Sequence, residues 1–205
     1  MKVRPFSTES VPKPPISDLT SGALQRILNS GKPLDLEIGS GVGLHPIQYT
    51  QRHLKRNLIA IEQTTNKYKK FEGRFKSHNM PSNLLPIHAD AVHWISHFLP
   101  KKSLENCFIL FPNPYPKKKQ SNLRWVNMPF MSQLILCLKP GGRIHLATNV
   151  TDYAEEALDR FDSLWNLNKI SYEKSSNSIH ARTHFEKKYL AQNQTIHDLI
   201  FESPN

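Results

Sequence analysis

A short apolar strand that runs into a glycine-rich turn limits the possible folds of this chain more than any other part of the sequence. Residues 35–43 read Asp-Leu-Glu-Ile-Gly-Ser-Gly-Val-Gly, so Gly39, Gly41 and Gly43 stand at alternate positions just after the acidic Glu37. Because glycine has no Cβ, such a turn can adopt positive φ angles, and a ligand can approach its backbone closely. A strand followed by this kind of turn is typical of nucleotide-binding α/β proteins.

The spacing and charge of the turn differ from the dinucleotide-binding pattern Gly-x-Gly-x-x-Gly. The turn here is Gly-x-Gly-x-Gly, and the carboxylate of Glu37 faces it. A carboxylate repels a pyrophosphate and attracts an ammonium group. The turn therefore favours the methionine end of S-adenosylmethionine over NAD, with a tight strand-to-helix turn that binds no ligand as the alternative.

Two further apolar runs also end in an acidic residue. Residues 58–61 lead into Glu62, nineteen residues after Gly43, and residues 84–89 lead into Asp90. In doubly wound sheets, an acid about 20 residues beyond the glycines accepts hydrogen bonds from ribose hydroxyls. Three successive strands that each deliver a carboxylate to the ligand-binding edge of a sheet predict a nucleoside site.

Strand-like and helix-like segments alternate along the chain. Predicted strands are residues 34–38, 58–62, 84–88, 105–111 and 143–148; predicted helices are 18–29, 44–55, 65–78, 91–98, 122–138 and 152–167; two more strand candidates lie near 168–173 and 195–202. A turn is predicted at Pro140-Gly141-Gly142. This alternation predicts an α/β fold, with a doubly wound, mostly parallel sheet and helices on both faces. We expect residues 1–16, which hold four prolines, to form a loose arm, and residues 17–205 to form a single domain.

The composition indicates a polyanionic partner. Lys and Arg number 27 against 17 Asp and Glu, which gives a net charge of +10, and an excess of this kind fits nucleic acid. Cys107 and Cys137 both lie in apolar runs and are predicted to be buried, reduced thiols. Neither a signal-peptide pattern nor a membrane-length apolar run is present, so we expect a cytoplasmic protein.

The second informative segment is a basic loop after the fourth predicted strand. Pro112, Pro114 and Pro116 alternate with Asn113 and Tyr115, and the lysines of residues 117–119 follow. The prolines forbid a helix and stiffen the loop, so the Asn113 side chain is held in place. Lysines beside an aromatic residue suit phosphate contacts combined with base stacking. A solvated, charged turn is the alternative interpretation.

Several motifs in this order resemble those of the bacterial tRNA (guanine-N7)-methyltransferases. They are Glu37-Ile38-Gly39-x-Gly41-x-Gly43, Ile61-Glu62, His88-Ala89-Asp90-Ala91, Phe111-Pro112-Asn113-Pro114-Tyr115-Pro116-Lys117, Ala147-Thr148-Asn149, Tyr153-Ala154 and Thr183-His184-Phe185-Glu186. The likeness covers about residues 34–202 and includes the closing Ile196–Glu202, which looks like the last strand of that family. The glycine turn is common to many methyltransferases, whereas the proline-rich loop followed by Thr-x-Phe-Glu is more specific.

The resemblance implies a class I methyltransferase fold with seven strands, and methyl transfer to N7 of a guanine in the tRNA variable loop. It implies contacts to S-adenosylmethionine by Glu37, Gly39, Gly41, Gly43, Glu62, Asp90, Ala91 and Asn113, the last also as the catalytic residue. It implies contacts to the guanine or its neighbours by Tyr115, Lys117, Asn149, Thr183, His184, Phe185 and Glu186. Lys118, Lys119 and Arg124, helped by the cations between Lys67 and Lys76 on the predicted helix over residues 65–78, are expected to bind RNA, and no metal is expected.

The chain departs from the family at three of these positions. Asn113 and Asn149 stand where the family carries Asp, and Tyr115 replaces the usual Trp. A neutral amide accepts weaker hydrogen bonds from guanine than a carboxylate does, so weaker or altered base selection is expected. Three alternatives therefore stay open: a methyltransferase of a small nitrogen heterocycle, one acting on exocyclic amines through Asn113-Pro114-Tyr115, and a non-catalytic RNA-binding protein.

Overall fold

The computed structural model describes residues 4–176 and 181–204, which form a seven-stranded sheet in the order β3-β2-β1-β4-β5-β7-β6. The strands are β1 (Leu34–Ile38), β2 (Asn57–Glu62), β3 (Leu84–His88), β4 (Leu104–Leu110), β5 (Leu138–Thr148), β6 (Asn168–Ser175) and β7 (Ile196–Glu202). Strands β1 to β5 pair in parallel, whereas β7 is antiparallel to both β5 and β6. The predicted fold class is confirmed, including both strand candidates near the end of the chain.

Helices cover both faces of this sheet. They are α1 (Asp18–Leu28), α2 (Leu44–Arg52), α3 (Thr65–Ser77), α4 (Ala91–Phe98), α5 (Met131–Cys137), α6 (Thr151–Ser163) and α7 (His184–Ala191). In β2, Ile59 and Ile61 join a core with α1, α4, α5 and α6, whereas Leu58 and Ala60 join a second core with α2 and α3. Alternate residues of one strand thus point to opposite faces, which is why the strand reads as a continuous apolar run.

The segment between β4 and β5 differs from its prediction. Residues 122–138 were expected to form one helix, but only Met131–Cys137 is α-helical, after short 3-10 turns at Lys118–Leu123 and Trp125–Asn127. Pro129 has no N–H to donate to a preceding turn, so a helix through this point is disfavoured. Leu123, Trp125 and Met128 of this segment instead line a cleft at the carboxyl ends of the strands.

The Pro140-Gly141-Gly142 turn lies inside β5 instead of before it. The pairing with β4 passes from Leu104↔Leu138 to Asn106↔Arg143, so β5 carries extra residues as a bulge. Gly141 has a φ of +72°, and a Cβ on Gly142 would lie 2.9 Å from the carbonyl oxygen of Leu104. Glycine is required here because the bulge leaves no room for a side chain.

The N-terminal segment, predicted to be a loose arm, contacts the helices beside it. The ring of Phe6 packs edge-on against Phe130 with centroids 5.6 Å apart, and Nε2 of His97 lies 2.7 Å from the carbonyl oxygen of Val11. The apolar ring and the helix-bound histidine together fix the path of the arm. Across residues 4–176 and 181–204, no helix combines the length and the apolar character needed to cross a membrane.

Candidate functional site

A cleft of about 650 Å³ opens at the carboxyl ends of β1 to β4. Parallel sheets bind ligands at this edge, because loops from several strands meet there. The predicted site residues that line it are Glu37, Gly39, Gly41, Glu62, Asp90, Ala91, Asn113, Tyr115, Thr183, His184 and Phe185. Segments far apart in the chain therefore converge on one cleft.

The glycine turn forms one wall of the cleft. Gly39 and Gly41 have φ angles of +77° and +60°, and a Cβ on either would meet no atom within 4 Å. Glycine is thus needed at both positions for its backbone conformation, and the space above them is open to a ligand. Gly43, also predicted to contact the cofactor, does not line the cleft; it has a φ of +81°, and a Cβ there would lie 2.0 Å from the ring of Phe71.

The three predicted carboxylates have different partners. Oε2 of the buried Glu37 accepts a hydrogen bond from Nδ1 of His45 at 2.8 Å. Glu62 accepts one bond at each oxygen, from the backbone N–H of Gly41 (2.8 Å) and of Thr64 (2.7 Å). Each carboxylate oxygen of Glu62 retains a second lone pair, so it can still accept from a ligand hydroxyl.

Asp90 caps helix α4 and lines the cleft at the same time. Its Oδ1 accepts from the backbone N–H of His93 at 3.1 Å, and its Oδ2 accepts from Nε2 of Gln63 at 3.1 Å. A carboxylate at a helix N-terminus is stabilised by the free N–H groups of the first turn. The cap therefore holds this acid at the edge of the cleft.

The proline-rich loop presents Asn113 through a local turn. Oδ1 of Asn113 accepts from the backbone N–H of Tyr115 at 3.1 Å, and Tyr115 has a φ of +42°. A positive φ is uncommon for a tyrosine and is retained only where the surroundings impose it. Two donors of Arg124 supply that constraint, since its Nη2 and Nε lie 3.0 and 3.3 Å from the Tyr115 carbonyl oxygen.

Arg124, which was predicted to bind RNA, is engaged by groups of the protein itself. Its side chain is only 14% exposed and forms an ion pair with Glu156, which also accepts from Asn127. A guanidinium paired in this way, with two donors committed to a carbonyl, has little surface left for a phosphate. Arg124 therefore braces the proline-rich loop. A single sequence gives no sign of this, because the partner carboxylate lies on α6.

The Thr-x-Phe-Glu motif forms the start of α7. Thr183 caps the helix, since its Oγ1 accepts from the backbone N–H of Glu186 at 3.0 Å. The buried Glu186 in turn accepts from Arg182, whose Nη2 lies 2.8 Å from Glu186 Oε1 and 2.7 Å from Asp198 Oδ1. Glu186 does not line the cleft, and its carboxylate helps to fix the start of α7; its substrate contact stays a prediction.

Asn149 and the lysines of residues 117–119 also lie outside the cleft wall. Nδ2 of Asn149 donates to Oε1 of Gln194 at 2.7 Å, which ties the end of β5 to the segment before β7. Lys117, Lys118 and Lys119 are exposed, and none has an ion pair within residues 4–176 and 181–204. The three cations therefore form an accessible basic surface beside the loop.

Aromatic and basic groups from α3 and α7 form the mouth of the cleft. Phe185 is 42% exposed, and Nζ of Lys67 lies 5.5 Å from its ring centroid. The ring of Tyr189 stacks with that of Phe185, at a centroid distance of 6.2 Å. Burial, together with the nearby Arg74 and Lys187, lowers the pKa of His184, which favours its neutral form.

Several residues of the cleft were not predicted as part of its wall. Besides Lys67, they include Ser40, His45, Lys70, Arg74, Leu123, Trp125 and Met128. The basic ones were expected only as part of an RNA-facing surface, and Trp125 and Met128 fell within the helix predicted over residues 122–138. Only the packing of the helices and loops around the strand ends brings these side chains together.

The polar groups at the floor of the cleft fit the amino-acid end of S-adenosylmethionine. Oγ of the buried Ser40 lacks a hydrogen-bond partner among the described residues. Glu37 uses Oε2 for His45, and its Oε1 accepts no hydrogen bond from the described residues. A ligand that carries both an ammonium and a carboxylate would satisfy an acidic acceptor and a hydroxyl donor of this kind.

A buried polar network lies beneath this floor. The carboxylate of Asp35 accepts from Arg56 at 2.6 and 2.7 Å, from the Tyr49 hydroxyl at 2.7 Å and from Nδ2 of Asn106 at 2.8 Å. Burial, reinforced by Asp35, raises the pKa of Tyr49. Nε2 of His145 lies 3.0 Å from Oδ1 of Asn106, and burial lowers the pKa of this histidine to about 4. The charge of Asp35 is thus fully paired below the cleft.

Comparison with known proteins relates this chain to methyltransferases. A family model described as "Putative methyltransferase" matches residues 31–199. A tRNA (guanine-N(7)-)-methyltransferase of Nitrosomonas eutropha is 32% identical over 179 residues, which are 87% of this chain and 80% of that protein. One of Nitrosococcus oceani is 32% identical over 187 residues, covering 90% of this chain and 78% of that protein.

Solved structures of methyltransferases share the fold. The 16S rRNA methyltransferase KamB superposes with a TM-score of 0.69 at 16% identity, covering 94% of this chain and 96% of that one. A mutant 16S rRNA (adenine(1408)-N(1))-methyltransferase from Catenulisporales acidiphilia, solved with its cosubstrate SAM, gives a TM-score of 0.64 at 13% identity, with coverages of 94% and 93%. At such low identity these similarities establish the fold alone.

Proposed function

The chain belongs to the tRNA (guanine-N7)-methyltransferase family, and we propose that it transfers a methyl group from S-adenosylmethionine to N7 of a guanine in the variable loop of tRNA. The observation that carries the proposal is the convergence of Glu37, Glu62, Asp90 and Asn113 on one cleft, beside the glycine turn. These are the groups that a nucleoside with an amino-acid tail requires, because it offers hydroxyl, amine and ammonium donors.

In this proposal each acid has its own part of the cofactor. Glu37 takes the ammonium, Glu62 accepts from the ribose hydroxyls, and Asp90 accepts from the adenine amine. When bound, S-adenosylmethionine supplies a methyl group activated by its sulfonium. Gly39 and Gly41 leave the space above the turn open, and the Ser40 hydroxyl supplies a donor for the carboxylate of the tail.

Methyl transfer to N7 requires no general acid or base from the protein. The N7 lone pair forms the new C–N bond as the C–S bond breaks, so the positive charge passes from sulfur to the purine and no proton leaves. Catalysis then consists of alignment and exclusion of water. Asn113 lies on a loop stiffened by prolines and by Arg124, and its carbonyl oxygen can accept from the guanine edge.

The aromatic rings at the mouth of the cleft support the choice of a base as substrate. Tyr115, His184 and Phe185 line one side of it, and flat rings of this kind stack on nucleobases. The face of an aromatic ring also attracts the positive charge that the purine gains during the reaction. The rings would therefore hold the guanine and stabilise the methylated product state as it forms.

Two basic surfaces suit the phosphates that flank the base. Lys117, Lys118 and Lys119 are exposed beside the proline-rich loop, and Lys70 and Arg74 of α3 line the cleft. Together they give a positively charged border to the opening. Cations in this arrangement bind the RNA backbone without regard to sequence and fix the register of the target base.

The proposal is tested by methylation of tRNA transcripts, with nucleosides identified by mass spectrometry. We expect 7-methylguanosine from a transcript with guanine in the variable loop. A transcript with 7-deazaguanine there should take no methyl group, because C–H replaces the N7 lone pair. Methyl incorporation into the 7-deazaguanine transcript at the same nucleotide would contradict N7 as the acceptor. Binding of S-adenosylmethionine without methylation of any tRNA would favour a small heterocycle as substrate.

The RNA surface has its own test, the salt dependence of tRNA affinity. Replacing Lys117, Lys118 and Lys119 by Ala should lower the slope of log affinity against log salt by about 2–3, because each neutralised phosphate releases a counterion. Lys32, Lys55 and Lys101 are exposed lysines at the amino ends of strands, and their triple Ala variant is the matched control. Equal slopes for the two triple variants would refute the assignment.

A further inference from the structure

The carboxylate proposed to receive the cofactor ammonium is itself held by a histidine. Nδ1 of His45, in the first turn of α2, lies 2.8 Å from Oε2 of Glu37 at the end of β1. The two side chains are only 9% and 2% exposed, and both residues line the cleft. Because a carboxylate only accepts hydrogen bonds, Nδ1 carries the proton and donates it.

The imidazole has a fixed orientation. Its ring packs edge-on against Phe108 with centroids 5.1 Å apart, and it contacts the ring of Tyr49 at 5.5 Å. The Tyr49 hydroxyl is in turn anchored on Asp35, whose carboxylate is held by Arg56. A ring fixed on two sides keeps its Nδ1–H pointed in one direction.

This arrangement divides the two oxygens of Glu37 between different tasks. Oε2 is committed to His45, whereas Oε1 accepts no hydrogen bond from residues 4–176 and 181–204. A carboxylate anchored at one oxygen loses the freedom to rotate, so its second oxygen is presented to a ligand in a single direction. Preorganisation of this kind strengthens binding, because the ligand does not have to order the side chain.

We propose that His45 is a positioning residue, which orients Glu37 to receive the ammonium of the amino-acid tail of the cofactor. This inference rests on the proposed use of S-adenosylmethionine. It assigns to His45 an effect on the tail alone, because the adenosine end would be bound by Glu62 and Asp90, at the ends of β2 and β3. The sequence gives no hint of the role, since Glu37 and His45 lie on different elements, eight residues apart.

The test compares two ligands that differ only in the tail. S-adenosylhomocysteine carries the amino-acid end, and 5′-methylthioadenosine lacks it. Calorimetry should show that H45L, which removes the donor, weakens S-adenosylhomocysteine about 10- to 100-fold, the range for a lost hydrogen bond to a charged group. The affinity for 5′-methylthioadenosine should stay within about 2-fold of that of the unmodified protein, because its contacts do not involve Glu37.

Two amide variants separate positioning from simple packing. H45N places an amide N–H₂ close to the position of Nδ1, whereas H45Q extends it toward the position of Nε2. H45N should therefore restore S-adenosylhomocysteine binding to within about 5-fold, and H45Q should not. His78 is exposed at the end of α3, and H78Q is the control for a histidine-to-amide change away from the cleft.

The outcomes distinguish this inference from the proposed function. If the unmodified protein binds neither ligand, the proposed cofactor and this inference both fall. If it binds both, but H45L weakens them equally or H45N and H45Q behave alike, cofactor use stands and the role of His45 is overturned. Thermal unfolding of each variant accompanies the titrations, and should H45L fail to fold, the comparison of H45N with H45Q decides the question alone.

Discussion

The glycines of the turn meet two different physical needs. Gly39 and Gly41 have positive φ angles, with open space where a Cβ would stand. Gly43 combines a positive φ with direct contact to Phe71, which fills the core between α3 and the sheet. The first two glycines therefore serve the ligand side of the turn, and Gly43 serves the packing of α3.

A pair of glycine substitutions separates these two needs. Gly31 has a φ of +70° with no atom near its missing Cβ, so G31A should cost only the strain of a left-handed alanine, about 1–2 kcal/mol. G43A adds a contact at 2.0 Å with Phe71 and should cost at least about 3 kcal/mol. The free energy of unfolding in urea measures both. Equal losses in the two variants would show that the Phe71 contact relaxes without cost.

The two asparagines at positions where the family carries Asp have unequal surroundings. Asn113 only accepts, from the backbone N–H of Tyr115, so N113D keeps this bond and makes it charge-assisted. N149D loses the donor to Gln194 and should lower stability by about 1 kcal/mol. We expect N113D to maintain or raise 7-methylguanosine formation in tRNA. A loss of activity in a folded N113D would mean that the pocket accommodates a ligand other than guanine.

The sequence was most informative where a residue acts through its own segment. The glycine turn, the strand-end acids and the proline-rich loop could be predicted because each is a local pattern. His45 and Trp125 could not, since their place in the cleft depends on the packing of whole helices, and for the same reason the basic groups of α3 were expected on an RNA-facing surface but not in the cleft wall. Arg124 and Glu186 mark another limit, because a sequence does not reveal that a charge is already paired within the protein.

The proline-rich loop depends on a brace from the 3-10 segment that follows it. The Arg124 side chain contacts the Tyr115 carbonyl on one side and Glu156 of α6 on the other, so it joins the loop to helix α6. Prolines limit the conformations of a loop, but they do not choose among those that remain. The brace makes that choice, and it holds Tyr115 at its positive φ.

Substitution of Arg124 tests the brace against the earlier expectation of RNA binding. R124M removes the donors but keeps the apolar stem, and we expect methylation efficiency to fall about 10- to 100-fold as the loop loses its geometry. The salt slope of tRNA affinity should stay unchanged, because no phosphate contact is lost. R124K retains a positive charge for Glu156 but lacks the several donors of the planar guanidinium, so its methylation efficiency should be intermediate. A slope lowered by about one in R124M would identify a phosphate contact after all.

Errors in predicting the elements share a cause. The helix over residues 122–138 and the turn before β5 were inferred from local apolar and glycine patterns. The first part of the predicted helix instead contributes Trp125 and Met128 to the wall of the cleft. The Pro-Gly-Gly sequence forms a bulge in β5, at the point where this strand pairs with β4. Tertiary contacts override local preference when the two conflict, whereas β1 to β4 formed as expected because both agree.

The buried network below the cleft makes the stability of the protein depend on pH. Burial lowers the pKa of His145 to about 4, from an ordinary value near 6.5, so the fold favours its neutral form. The contribution of the neutral His145 to the free energy of unfolding is therefore complete above about pH 6.5 and is lost as the pH falls toward 4. The unfolded chain takes up the proton first, which shifts the equilibrium toward unfolding.

The difference in unfolding free energy between the unmodified protein and H145Q should change with pH because of the lowered pKa of His145. Gln does not titrate, so the advantage of the unmodified protein over H145Q should shrink by about 2 kcal/mol between about pH 7 and about pH 4.5. Urea unfolding at several pH values gives the difference, in which the titration of all other groups cancels. A difference that is constant over this range would show that His145 titrates alike in the folded and unfolded chain.

The order of the strands has a consequence for biosynthesis. Strand β7 follows β6 in the chain but lies between β5 and β6 in the sheet. When a nascent polypeptide has emerged from the ribosome as far as residue 176, β6 therefore lacks the strand with which it pairs. The edge of β5 that pairs with β7 is unpaired at the same stage. Sheet closure must wait for residues 196–202 to emerge. A translational pause before that point would prolong a state with two unpaired strand edges, and such edges promote aggregation.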